Sequence, residues 1–252
     1  MTALRRGALL VALALATVGA RGGVATTRGL SPNIVLANYA SALATLRRPK
    51  AVSFEYSVEQ LGLHNLEQTH RVYRSGLNER DETLVVDGTK FAHPAIRILT
   101  NRTNRYDIAA VAPKPGSYAF AFMGAQSGTN PPLYIFKTRP HAPGAFAVSE
   151  VFVDGRSFLP SVVRFRIAAR NARGSGELHY GRSDAYWVVR AAQVSVRLTN
   201  GTTAHERIMW TNYQFPASLP RSTFEAPRAT PTPFPSLLAP PTPTPTPIPP
   251  PL

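Results

Sequence analysis

The sequence predicts a mainly β protein: a strongly curled antiparallel sheet with one long helix near its N-terminus. Three observations predict it. The stretch Ala145–Arg170 carries two alternating apolar runs around a turn-rich centre. In its second run Val163, Phe165, Ile167 and Ala169 alternate with Arg164, Arg166 and Arg170, so period two sends the two sets to opposite faces of a half-wet sheet. Comparable runs recur roughly nine to eleven times between turn signals, more strands than a flat sheet holds comfortably.

The first run of that hairpin has Phe146 and Val148, then Val151 and Val153. Its apolar parity changes at Ser149-Glu150, which predicts a bulge. Asp154-Gly155 predicts the turn, with glycine supplying a positive φ.

From the N-terminal side, Ser31-Pro32 opens the helix, serine as N-cap and proline at the first helical position. Leu36, Tyr39, Leu43 and Leu46 recur at helical spacing, and the stripe is expected to pack on the sheet. Arg47 and Arg48 suit the helix C-terminus and Pro49 stops it. Val52, Phe54, Tyr56 and Val58 then alternate with Ser53, Glu55, Ser57 and Glu59. Thr69–Arg74, Leu84–Val86, Ile96 with Ile98, and Tyr106–Val111 read as further strands. Tyr118, Phe120 and Phe122 alternate with small residues, before a loop-like stretch from Met123 to Pro132 that reads alternatively as a short helix over the sheet. Leu133–Lys137, Gly174–Tyr180, Tyr186–Leu198 and Thr203–Phe215 complete the set, with Asn200-Gly201 as the turn between the last two. The end of the domain is expected to lay Phe215, Leu219 and Phe224 along the sheet.

Two segments lie outside this domain. Residues 1–20 set Arg5 and Arg6 before an apolar run from Ala8 and close on Val18-Gly19-Ala20. This is the layout of a secretory signal peptide, or of an N-terminal anchor if uncleaved. The apolar run falls short of the roughly 20 residues that a spanning helix needs. The implied location is periplasmic or otherwise extracytoplasmic. Residues 21–30 read as a flexible lead-in. From Pro227 to Leu252 proline recurs so densely that an extended polyproline II tail is expected, as spacer, docking strip or dispensable end. The fold is thus expected within residues 31–226, long enough for one substantial core.

The chain has no cysteine, so neither a disulfide nor a lipid-modified N-terminal cysteine is available, and the core alone must stabilise it. Its formal charge is +14. The arginines are scattered singly along strand-like runs, with no block of like charge and no nucleic-acid motif, so nucleic acid is not the expected partner. They read first as the solvated faces of strands. An anionic membrane surface or envelope polymer is the partner such a surface would suit.

Catalytic and metal motifs are not found. His64, His70, His93, His141, His179 and His205 show neither HxxxH nor HxH spacing. Ser157 in GRSFL lacks the second glycine of a nucleophile elbow. Gly174-Ser175-Gly176 reads as a glycine-rich turn with no GK[ST] to make a P-loop. Glu79, Asp81 and Glu82 cluster with Arg80; a glycosidase pair or calcium site could use them, and a solvated turn between two strands explains them better. No enzyme activity, cofactor or metal is expected.

Several stretches, in order, carry a family resemblance. NIVLANYASALATL leads into the strand AVSFEYSV. HRVYRSGLNERDETLVVDGTKF reads as strand, turn, strand with an acidic-glycine turn. VFVDGRSFLPSVVRF gives strand, aspartate turn, Leu-Pro, strand, and RIMWTNYQFPASLPRSTFEAP a closing strand, loop and terminal phenylalanine. Over about residues 33–226 the chain resembles the periplasmic lipoprotein carriers and outer-membrane lipoprotein-sorting proteins (LolA/LolB-like), whose fold also occurs in a sigma-E regulatory sensor. The resemblance implies an incomplete antiparallel barrel closed by helices, with an apolar concave face that takes acyl chains. Candidate lining residues are Phe54, Tyr56, Phe120, Phe122, Tyr134, Phe136, Phe165 and Trp210, against the alternative that they form an ordinary filled core. The carrier's lid-locking arginine has no assigned counterpart; Arg47 and Arg48 match it in place only. The implied function is an exported carrier of lipid or lipoprotein acyl chains, acting as a monomer. The alternatives are a non-enzymatic envelope sensor that binds a protein partner, and a hydrolase of an envelope polymer.

Overall fold

A computed structural model describes residues 30–62, 65–101, 106–126 and 128–225. The expected signal peptide, the lead-in except Leu30, and the proline-rich tail lie outside them, as does His64.

Helix α1 (Pro32–Ala44) is followed by β1 (Ala51–Leu61), β2 (Leu66–Ser75), β3 (Asn78–Val86) and β4 (Thr89–Leu99). A short helix α2 (Ile108–Val111) precedes β5 (Tyr118–Gln126), β6 (Leu133–Pro140), β7 (Phe146–Asp154), β8 (Pro160–Ala168), β9 (Ala172–Ser183), β10 (Tyr186–Leu198) and β11 (Thr203–Gln214). All eleven strands form one antiparallel sheet in the order β4-β3-β2-β1-β11-β10-β9-β8-β7-β6-β5. Every neighbour is consecutive in sequence except β1 and β11. The chain walks out to one edge at β4, crosses to the opposite edge at β5, and returns strand by strand. The sheet stays open between β4 and β5, as an incomplete barrel.

Residues paired across strands share a face. Val58 of β1 faces Ile208 of β11, Ile208 faces Ala192 of β10, Ala192 faces Leu178 of β9, Leu178 faces Val163 of β8, and Val163 faces Val151 of β7. All six are buried. This inner face also carries both helices. Val35 and Tyr39 of α1 are fully buried. The Tyr39 hydroxyl donates to the Pro113 carbonyl at 2.6 Å, and its ring meets Phe120 edge-on at 5.8 Å. Burial pushes the Tyr39 phenol up. Arg164 and Arg166 stand on the outer face, where Arg164 reaches Glu150 at 3.0 Å and Glu177 at 3.3 Å.

The predicted hairpin is present, with its bulge between Val148 and Glu150. Its turn works differently. Asp154 Oδ1 accepts from the Arg156 and Ser157 amides at 3.1 and 2.7 Å, and the positive φ falls on Phe158. Gly155 is needed for room: a Cβ there would meet the Pro132 carbonyl oxygen at 2.7 Å.

Further expectations are corrected. Tyr106–Val111 holds the short helix α2, not a strand: Asp107 Oδ1 accepts from the Ala109 amide at 2.9 Å and caps it. Helix α1 ends at Ala44, so Arg47 and Arg48 lie beyond it; the residue before Pro49 is pushed out of helical φ/ψ. The Ser31 hydroxyl makes no capping bond, though its carbonyl accepts from Val35. Met123–Gln126 continue β5 past a register shift at Gly124. Gly174 and Gly176 lie inside β9, not in a turn. There the next strand passes so close that a Cβ on Gly176 would meet the Gln193 carbonyl at 2.4 Å and the Phe165 ring at 2.6 Å. Glycine in a strand interior marks such close approach and bending.

The largest correction concerns Glu79, Asp81 and Glu82. They occupy β3, not a solvated turn, and all three are buried, Asp81 to 3% exposure.

Candidate functional site

Two regions of the inner face hold chemistry. The first is the buried polar wing on β1–β3, with Glu206 of β11 and Arg97 of β4. The register sets Tyr56 against His70, His70 against Thr83, and Asp81 against Arg97. Asp81 Oδ1 sits 2.9 Å from His70 Nδ1. Its other oxygen accepts from the Tyr56 hydroxyl at 3.2 Å and from Arg97 at 3.3 Å. The His70 ring stacks on Tyr56 at 4.6 Å and contacts Gln68 Oε1 at 3.1 Å through Nε2. Burial pushes the Asp81 carboxyl up, but the hydrogen bond and charge of His70, then Arg97 and Tyr56, outweigh it and hold it below the ordinary aspartate value. Nearby Gln60 donates to Glu206 at 2.6 Å, and Arg74 pairs with Glu79. Each carboxylate here has a committed partner, so the wing is a structural network.

The second region is a cavity of about 530 Å³ between the end of the sheet, the link from α1 to β1, and α2. Phe54, Trp187, Trp210, Tyr213 and Ile108 form its walls. Tyr106 packs edge-on against Trp210 at 4.8 Å and Phe54 lies 5.3 Å from Tyr213. The Trp187 indole donates to the Pro160 carbonyl and the Tyr213 hydroxyl to the Val189 carbonyl, each at 2.7 Å. The polar tips are thus satisfied within the protein and the ring bodies are left to line the cavity. Burial also pushes the Tyr213 phenol up, against the opposing charges of Arg190 and Arg74.

Bulges build this end of the sheet. Register shifts fall between Ser53 and Glu55 where β1 meets β11, and between Val189 and Ala191 where β10 meets β9. Asn212 in β11 has φ of 53°. The first shift adds a residue to β11 beside Asn212 and the second adds Arg190 to β10, and each reverses the parity of its strand beyond it. Trp187 and Tyr213, which unbroken alternation from Ala192 and Trp210 would turn outward, therefore face inward.

The sequence-derived lining residues separate into three groups. Phe54 and Trp210 line the cavity, and Tyr56 stands beside them, its ring 6.4 and 6.3 Å from theirs. Phe120, Phe122, Tyr134 and Phe136 gather on β5 and β6, where Phe136 meets Phe122 at 5.4 Å and Phe120 at 6.1 Å. Phe165 is buried on β8 against Phe146. Trp187, Tyr213 and Tyr106 are the cavity aromatics that sequence reasoning missed.

A larger groove of about 720 Å³ lies along the outer face between Glu59, Arg164, Glu177 and Arg207. Arg164 in its wall is paired with Glu150 and Glu177 on the neighbouring strands, and the groove offers no apolar floor of comparable extent. The smaller inner cavity is therefore the better candidate for a ligand.

The chain has distant likenesses among solved structures. The chain is similar to a DUF1329 family protein from Desulfovibrio piger, at 13% identity and a TM-score of 0.42, over 76% of this chain and 97% of that one. It is similar to a LolA superfamily protein from Nitrosomonas europaea, at 10% identity and 0.39, over 79% and 99%. It is similar also to a protein described as an outer membrane lipoprotein-sorting domain from Vibrio parahaemolyticus, at 11% identity and 0.42, over 75% and 95%. No family model and no curated protein matches the sequence. The cavity and its side chains, rather than these distant likenesses, bear on function. Among the described residues no helix is long and apolar enough to cross a membrane.

Proposed function

We propose that this chain is an exported carrier or binder of lipid or lipoprotein acyl chains, working outside the cytoplasm without covalent chemistry. One observation carries the reading: the aromatic cavity of about 530 Å³ on the helix-bearing face. Its size falls within the roughly 300–1,000 Å³ of small-molecule sites. Its walls offer ring surface, and the polar atoms of Trp187 and Tyr213 are already bonded within the protein, which suits a hydrocarbon. Each methylene taken from water contributes about 0.8 kcal/mol, so useful affinity needs no catalytic group. The buried apolar side chains on β6–β8 extend the same face beyond the cavity and are close-packed.

Native mass spectrometry of the purified chain, before and after exposure to a lipid extract, tests this. Bound acyl species in stoichiometric amount are expected. A chain that carries no lipid and takes up none at micromolar concentration contradicts the reading. Crosslinking that recovers a protein partner in its place would favour an envelope sensor of the same fold.

A further inference from the structure

The cavity mouth carries charge that a hydrocarbon does not use. Arg47, Arg48, Lys50 and Arg74 line it, against the single lining carboxylate of Asp107. Asp107 is committed: one oxygen pairs with Arg48 at 3.5 Å and the other accepts from the Ala109 amide. Arg74 gives one terminal nitrogen to Glu79, while its Nε and its other terminal nitrogen are buried and have no hydrogen-bond partner among the described residues. Arg47 and Lys50 are exposed and their side chains form no ion pair among the described residues.

Buried guanidinium N–H groups without an acceptor are costly, and native structures rarely leave them so. The guanidinium fork matches the oxygens of carboxylate or phosphate, and it does so most strongly where water is excluded. The bulged aromatic wall, Arg74 and the unpaired rim cations all bound the same cavity, and the two unpartnered Arg74 nitrogens lie buried behind that wall.

We propose that the cavity selects an anionic single-chain amphiphile. The tail lies against Phe54, Trp187 and Trp210. Phosphate or carboxylate oxygens of the head take the free Arg74 donors, with Arg47 and Lys50 at the mouth. This assignment rests on the acyl-binding reading and adds to it the charge of the head.

Calorimetric titration of the full chain with dodecyl phosphate, dodecanol and inorganic phosphate tests it. Dodecyl phosphate is expected to bind about tenfold to a hundredfold more tightly than dodecanol, with inorganic phosphate weaker than both. The exposed pair R47Q/K50Q should lose about tenfold for dodecyl phosphate and leave dodecanol unchanged. R74K, which keeps a cation beside Glu79 and removes the fork, should lose at least about threefold for the phosphate ligand alone. Equal affinity for dodecanol and dodecyl phosphate overturns the head assignment and leaves acyl binding standing. Binding of neither alkyl ligand overturns acyl binding itself. Inorganic phosphate bound as tightly as dodecyl phosphate overturns the amphiphile and leaves an anion site.

Discussion

The two wings of the inner face are made by the same alternation and filled by opposite chemistry. On β6–β9, Tyr134, Phe136, Val148, Val151, Val163, Phe165 and Leu178 form a dry, close-packed wing. On β1–β3, positions that register places on the same face hold Gln60, Gln68, His70, Glu79, Asp81 and Thr83, equally buried. The cavity lies at the end of the sheet where bulges in β10 and β11 break the alternation. The difference teaches that burial alone does not say what stabilises a wing. The apolar wing gains from removal of hydrocarbon from water. The polar wing bears a desolvation cost that its ion pairs and hydrogen bonds offset.

Truncations at the centre of each wing give the largest expected effects, and pH separates them. Asp81→Ala leaves His70, Arg97 and Tyr56 buried around a missing acceptor and should cost about 3–5 kcal/mol at neutral pH. Phe165→Ala should cost a similar amount, about 3–5 kcal/mol, by opening a cavity. The Asp81 carboxyl is held below its ordinary value of 3.8 in the folded chain. Its contribution is therefore present above that value and lost as pH falls through the lower folded one. Urea titrations over this range should show the Asp81→Ala penalty shrinking with falling pH and the Phe165→Ala penalty staying level. Parallel pH profiles would mean that the polar wing is not held by charge.

Gly176→Ala tests the bend between the wings. The added carbon meets the Gln193 carbonyl and the Phe165 ring, so a loss of about 1–3 kcal/mol is expected in thermal unfolding. A neutral result would show that β9 and β10 can separate at no cost. The smallest effect belongs to the outer face. There Arg71 hydrogen-bonds to Glu55 and, against the opposing push of burial, holds its carboxyl below the usual value, with Asn212 and the charge of Arg71 adding to this. Because that pair is partly solvated, Glu55→Gln should cost under about 1 kcal/mol by the same measurement.

The apolar wing was legible in the sequence. Val163, Phe165 and Ile167 alternate with arginine, and the contrast declares both the strand and its inner side. The polar wing was not. In Asn78–Thr83 every residue is polar, so period two has no contrast to display, and the run reads as a wet turn. Its burial comes from tertiary structure: Asp81 is covered on the inner face, and on the other face the short 3-10 turn Arg221–Phe224 crosses β3, where Arg80 donates to the Thr223 carbonyl at 3.3 Å. Tyr106–Val111 was misread because a short apolar run fits helix and strand equally well. Trp187 and Tyr213 were missed because bulges moved them across the sheet, and only the bulge at Ser149-Glu150 left a visible parity change. Phe54 was legible because β1 alternates without a break against β2, and Trp210 because it precedes the break in β11.

The chain has two tryptophans, and both line the cavity. Their fluorescence therefore reports on the proposed site with no label and no contribution from elsewhere. Titration with anionic single-chain amphiphiles of increasing length should give a saturable change, with affinity rising about tenfold for every two methylenes added. A response that is absent, unsaturable or independent of chain length would contradict an acyl chain in this cavity.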